Sequence, residues 1–348
     1  MTCLGRVIAM SNFKLLTLSL ITFSFIFNQV NVLASSINEN SLDEFHFSIP
    51  VKVWKTPTQN YRGLVIAIHG LTMHSGTYES MAKNLNNLGY LVIAPDLRGF
   101  GQWMQTHTKG SQLQSVDYEA SYEDVLRVIT FAQEKYPNLP TFILGESLGA
   151  DIALRIAGSQ KFDLKGIILS APAIVGKAPV IASVVLSELP KVMVNPKHEI
   201  NVSPFLSKYI ANDENIIQGT VNDPLVRKNL TVIDLLATLK TLTSSLSYAR
   251  NINKELPVLI LQGSQDALVN PKGVNKLVDT LKVKDQTVKW FPSQGHLLLE
   301  TNCAKAETLL ALDTWVEKHN NVNYPDSIAA ATLTWNDKND INLLNKNQ

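Results

Sequence analysis

The chain has 348 residues, 45% of them hydrophobic and 18% charged, enough to bury a large core in one big domain or two small ones. Its 31 basic and 30 acidic side chains leave a formal net charge of +1. With no long basic stripe, that balance excludes nucleic acid as the main partner, and no stretch resembles a phosphate-cradling glycine loop with a following lysine.

The N-terminus reads as an export signal over residues 1–34. Lys14 precedes an apolar run from Leu15 to Phe27, and Val32-Leu33-Ala34 forms a small-residue cleavage pattern with the cut after Ala34. The run is short beside the roughly 20 residues of a membrane span. The expected location is therefore secreted or periplasmic, with an uncleaved membrane anchor as the alternative. Cys3 lies before the cut and Cys303 after it, so the mature chain is expected to hold no internal disulfide, and Cys303 has no CxxC companion.

Next comes an alternation of short apolar runs and longer amphipathic segments. Residues 63–70, 90–96, 141–147, 166–172 and 257–263 are continuous aliphatic runs bounded by Gly, Pro or polar residues, the pattern of strands covered on both faces. Residues 287–292 alternate and are expected nearer an edge; residues 45–54 alternate as in an antiparallel hairpin strand. Helical patterns cover 77–88, 119–135, 147–158, 271–282 and 301–318. In the third of these, Asp151 and Arg155 are spaced i,i+4 on an otherwise apolar helix. The predicted class is α/β, with a mostly parallel sheet flanked by helices. Residues 173–250 break the rhythm, carry no convincing buried strand, and read as a helical cap between two core parts, 42–172 and 251–318. The Asn-rich stretch 319–348 reads as a loosely packed tail.

Gly145, Ser147 and Gly149 fit a strand-to-helix elbow that presents a serine hydroxyl on a strained turn. A serine needs a base to become nucleophilic. Of seven histidines, His296 alone follows a strand and precedes the last helix; His46, His198 and His319 sit in an early strand, the cap and the tail. Asp266, just past the run 257–263, supplies a carboxylate to orient the base. The order Ser147, Asp266, His296 is the one stated for α/β-hydrolases. The backbone N–H of Leu148, after the nucleophile, and that of Leu71, in the loop after the first buried strand, are the expected oxyanion donors. Asp96 and Arg98 at a strand end read as a structural loop tied by the two charges, and His69 and His74 have no third companion that would make a metal site.

With these residues placed, the chain resembles the monoacylglycerol lipase and lysophospholipase group of α/β-hydrolases. The motifs are "HGLTMHSGTY" (69–78), "PDLRGFGQ" (95–102), "GESLGA" (145–150), "NDPLV" (222–226), "GSQDALVNP" (263–271) and "GHLLLE" (295–300), in order over about 45–318. The resemblance implies catalytic Ser147, Asp266 and His296, oxyanion N–H groups on Leu71 and Leu148, a lipid ester as substrate, and no metal or organic cofactor. Thr77, Glu146 and Ala150 depart from the group's common pattern, and none of them belongs to the triad. The apolar stretch 178–189 is expected to wall an acyl groove, to touch a membrane surface transiently, or simply to pack the cap. Two other readings stand beside this one. An aminopeptidase or general carboxylesterase of the same fold would, for an amine substrate, use a cap carboxylate from among Glu188, Glu199, Asp213, Glu214, Asp223 and Asp234. The other is a non-catalytic binding protein on the same scaffold.

Overall fold

The computed structural model describes residues 48–56, 60–106, 115–174, 188, 190–191, 194–195 and 197–320. The expected export signal, residues 45–47 of the early strand, most of the apolar stretch 178–189 and nearly all of the Asn-rich tail lie outside the described residues.

Seven strands build one sheet: β1 (Val51–Trp54), β2 (Gly63–Ile68), β3 (Tyr90–Pro95), β4 (Thr141–Glu146), β5 (Gly166–Ser170), β8 (Val258–Gly263) and β9 (Gln286–Phe291). Their order is β1-β3-β2-β4-β5-β8-β9. All neighbours run parallel except β1, which pairs antiparallel with β3. The five continuous aliphatic runs form β2, β3, β4, β5 and β8, every residue of them buried. The alternating run forms β9, half-buried at the edge. Covering both faces are α1 (Glu79–Asn87), α2 (Tyr118–Lys135), α3 (Leu148–Ser159), α8 (Lys272–Thr280) and α9 (Ala306–His319). One core cluster lies under α1 and α9, where Phe142 of β4 meets the edge of Trp315 at 6.1 Å between ring centres. Because β2, β4, β8 and β9 are parallel, the loops that follow them emerge at one sheet edge, where ligands of open α/β sheets bind.

Several details differ from the sequence expectations. β1 pairs with β3 rather than with its neighbour in sequence, so it forms no hairpin. The last helix begins at Ala306; before it, the Cys303 N–H turns back onto the Thr301 hydroxyl. Between β5 and β8 the chain holds α4 (Ser203–Tyr209), α5 (Glu214–Asn222), α6 (Val232–Thr243) and α7 (Ser245–Arg250), but also a two-stranded antiparallel ribbon, β6 (Glu199–Asn201) with β7 (Asn229–Thr231). Each ribbon strand has three residues and one apolar side chain, too short to leave a periodic trace. Asp151 and Arg155 do not meet. Asp151 is buried against the Ser245 hydroxyl, while Arg155 forks onto Glu119 of α2 and stacks 3.8 Å over Tyr122. Asp96 and Arg98 also part: Asp96 accepts from the N–H groups of Ser75 and Gln102, and Arg98 grips Asp124.

From Ile49 onward the described chain forms one compact unit, the segment between β5 and β8 included. Arg227 is its principal tie. The buried guanidinium donates to the carbonyls of Gly99 (2.9 Å) and Asn229 (2.9 Å) and to Asp234 (3.1 Å), and its backbone N–H donates to the Thr72 carbonyl (2.8 Å). Asp234 is itself fully buried. Arg227→Met would leave that carboxylate short of its counter-charge, and the expected loss is about 3–5 kcal/mol, read as a lower denaturant midpoint.

Candidate active site

Ser147 sits on the turn between β4 and α3 with φ 54° and ψ −119°, a conformation that L-residues rarely adopt. Close packing imposes it. A methyl group on Gly145 would run into the Gly149 carbonyl, and one on Gly149 into the Ile68 carbonyl of β2, so both positions demand glycine. The Ser147 N–H is fixed by the Ser170 carbonyl at 2.9 Å. Leu148 opens α3, so its N–H has no partner four residues back.

Asp266 and His296 come from the loops after β8 and β9. His296 Nδ1 lies 2.7 Å from Asp266 Oδ2, and both residues are buried. Asp266 also accepts from the N–H groups of Leu268 and Val269, each at 2.9 Å, and from the Gln262 amide at 3.0 Å. A carboxylate so supplied with donors makes Nδ1 the protonated nitrogen and leaves Nε2 free to accept a proton. Burial alone would raise the Asp266 pKa, but the charge and hydrogen bond of His296 and the further donors hold it below its ordinary value. Burial likewise opposes charge on His296, and there the Asp266 charge and hydrogen bond prevail, lifting its pKa above 6.5. No hydrogen bond joins Ser147 Oγ to His296. The two residues border the same cavity.

That cavity has a volume of about 520 Å³ and also touches Leu71, Leu148 and Asp266. Its wall from the segment between β5 and β8 is apolar, with Ile174, Val202, Phe205, Leu206, Ile210 and Leu230 among its residues. Among the described residues neither the Leu71 nor the Leu148 N–H donates a hydrogen bond within the protein. The five residues singled out in the sequence therefore meet at one cavity. Leu71 occupies a tight turn closed by Met73 N–H onto the Gly70 carbonyl, in which Thr72 takes φ 72°. The two loop histidines are fully engaged. His69, pushed by burial down to about 4, donates Nδ1–H to the Gly70 carbonyl and accepts the Leu97 N–H. His74 accepts from the Gly76 N–H and meets Asp223 at 3.0 Å.

Two buried acids have contacts to which the sequence reading assigned no role. Glu146, next to the elbow serine, accepts from the N–H groups of Leu298 (2.9 Å) and Leu299 (2.8 Å) and from the Ser170 hydroxyl (2.6 Å). Burial raises its pKa against the pull of those donors. Glu300 accepts the Gly70 N–H on Oε1 at 2.8 Å, while its Oε2 has no partner. Burial and the nearby Glu146 raise its pKa well above its ordinary value. The available signal was an acid closing a mainly aliphatic run at each place, "FILGE" and "LLLE".

The sequence profile of the serine aminopeptidase S33 hydrolase family matches residues 59–302. The chain belongs to that family. It is a serine ester hydrolase of the α/β-hydrolase superfamily. The chain is 30% identical over 251 residues to the monoglyceride lipase of Homo sapiens, covering 71% of this chain and 79% of the relative. It is 27% identical over 273 residues to the monoacylglycerol lipase of Mycolicibacterium smegmatis, covering 77% and 92%. Its fold matches that of a soluble variant of Saccharomyces cerevisiae monoglyceride lipase in complex with a substrate analog. That likeness has a TM-score of 0.67 at 21% identity, over 79% of this chain and 92% of the other.

Proposed function

We propose that this serine hydrolase cleaves monoacylglycerols. Ser147 is the nucleophile, His296 the general base and acid, Asp266 the group that fixes the His296 tautomer, and the N–H groups of Leu71 and Leu148 the oxyanion donors. His296 Nε2 takes the hydroxyl proton as Ser147 Oγ attacks the ester carbonyl, and the carbonyl oxygen becomes an oxyanion facing the two N–H groups. The intermediate collapses, the C–O bond to the alcohol breaks, and His296 returns its proton to the leaving oxygen. Water then repeats the sequence on the acyl-enzyme and releases the fatty acid.

The observation that carries the choice of substrate is the apolar cavity beside Ser147. It suits an acyl chain, and residues 173–250 act as the cap that walls it. None of its described lining residues is Lys or Arg, so a neutral glyceryl head is favoured over a lysophospholipid, whose phosphate calls for a cation. An aminopeptidase needs an anchor for the substrate amine. Glu188, Glu199, Asp213, Glu214, Asp223 and Asp234 are all absent from the described lining, and the only acids there are Asp266 and Glu300. The apolar stretch 178–189 adds membrane-surface contact to the proposal, and the segment 1–34 adds export or anchoring.

A panel of a monoacylglycerol, a lysophosphatidylcholine and an aminoacyl amide, matched in acyl or side-chain length where the chemistry allows, tests this reading. The monoacylglycerol is expected to lead the lysolipid in kcat/KM by about tenfold or more, the factor given by one unmet polar group of about 1.4 kcal/mol. Preference for the amide or the lysolipid would overturn the substrate assignment.

A further inference from the structure

The residues that carry the proposed chemistry lie on four loops far apart in sequence, and two buried carboxyl groups join three of them, those of Ser147, His296 and Leu71. Glu146 is covalently next to Ser147, and its carboxylate takes the N–H groups of Leu298 and Leu299, which follow His296. A third backbone N–H, that of Glu300, lies 3.4 Å from the same carboxylate, and the Ser170 hydroxyl supplies a fourth donor. The base loop is thus hung on the nucleophile strand. That loop ends at Glu300, whose side chain turns to the Gly70 N–H, immediately before Leu71. The path runs from Ser147 through Glu146 to the 296–300 loop, and through Glu300 to the oxyanion turn. Both acids are wholly buried.

We infer that Glu146 and Glu300 are positioning residues for this reaction: Glu146 sets the His296 loop against Ser147, and Glu300 sets the Leu71 N–H above it. The inference rests on the roles proposed for Ser147, His296 and Leu71. The two acids do unequal jobs. Glu146 uses both oxygens as acceptors, and every neighbour it binds is a donor. In Glu146→Gln one oxygen becomes an NH2 group, which must face a backbone N–H or the Ser170 hydroxyl. Glu300 uses only Oε1, and its other oxygen has no partner. Glu300→Gln keeps the one acceptor that matters and places its NH2 where nothing is displaced.

The test is asymmetry between two identical chemical changes. In the full-length protein, Glu146→Gln is expected to lower kcat by about 10- to 100-fold, the penalty of misplacing reacting groups by a fraction of an ångström to an ångström, with KM within twofold. The second-order rate of fluorophosphonate labelling should fall by a similar factor. Glu300→Gln is expected to keep both within threefold of wild type, whereas Glu300→Leu, which removes the acceptor, loses about tenfold in kcat. Ser170→Ala removes one donor from Glu146 and is a milder probe should Glu146→Gln fold poorly; it should lose several-fold in kcat with KM unchanged. Equal losses for Glu146→Gln and Glu300→Gln would overturn the inference, because charge would then matter more than acceptor count. So would losses confined to KM, or the absence of loss in Glu146→Gln and Ser170→Ala. The labelling rate needs no lipid substrate. A wild type that fails to label would contradict the role of Ser147, whereas a wild type that labels beside variants of equal rate contradicts only the positioning roles.

Discussion

Ser147→Ala is expected to lower kcat by about 10⁶-fold, the loss seen when a serine-hydrolase nucleophile is removed, without changing the fold. The hydroxyl makes no capping hydrogen bond onto α3, so its removal frees no helix N–H. Backbone strain separates two variants that are equally inactive. Alanine must still adopt φ 54°, ψ −119°, whereas glycine takes up such a conformation freely. Ser147→Gly should therefore exceed Ser147→Ala in stability by about 1–3 kcal/mol, less glycine's extra chain entropy of about 1 kcal/mol. Paired denaturation curves would check the difference.

Asp266→Asn is expected to cost about 10⁴ in kcat, and the hydrogen-bond pattern says why. Oδ1 accepts two backbone N–H groups, from Leu268 and Val269, so the asparagine oxygen stays there and the NH2 faces His296. Nδ1 must then accept, which moves the ring proton to Nε2, the atom that has to take a proton from Ser147. The pH profiles should separate too. In the wild type kcat/KM rises with pH through a His296 pKa above 6.5, since only neutral His296 serves as base. Without the Asp266 charge that inflection moves to lower pH.

The His296 shift makes its share of stability run the other way. The raised His296 value contributes stability that is fully present below the unfolded histidine pKa and lost as pH climbs through the folded one. The lowered Asp266 value contributes stability present above its unfolded pKa and lost as pH falls through the folded one. Activity therefore emerges with rising pH in the range where the His296 contribution fades.

Much of this was legible because burial on both faces writes strands as unbroken aliphatic runs. β2, β3, β4, β5 and β8 fell within the expected spans, and the half-exposed β9 stood out by its alternation. Ser147, Asp266 and His296 were legible for a related reason: each lies just beyond a strand end, where a polar residue interrupts apolar sequence. The ribbon β6–β7 was not, since three residues leave no period. Nor were the pairings of charged residues. Asp96 and Arg98 are neighbours in sequence yet serve different partners, and Arg227 acts on Thr72 and Gly99 from more than a hundred residues away. Glu146 and Glu300 show the limit most plainly, because nothing local says that an acid beside the serine will catch the N–H groups of the base loop 152 residues later.

The measurement that bears most directly on the account is mass spectrometry of the purified protein after reaction with a fluorophosphonate, beside His296→Ala. The account predicts one phosphonyl group per chain on the peptide carrying Ser147, and none in the His296 variant at the same exposure. A folded wild type that takes up no label, or carries it on another residue, would contradict it.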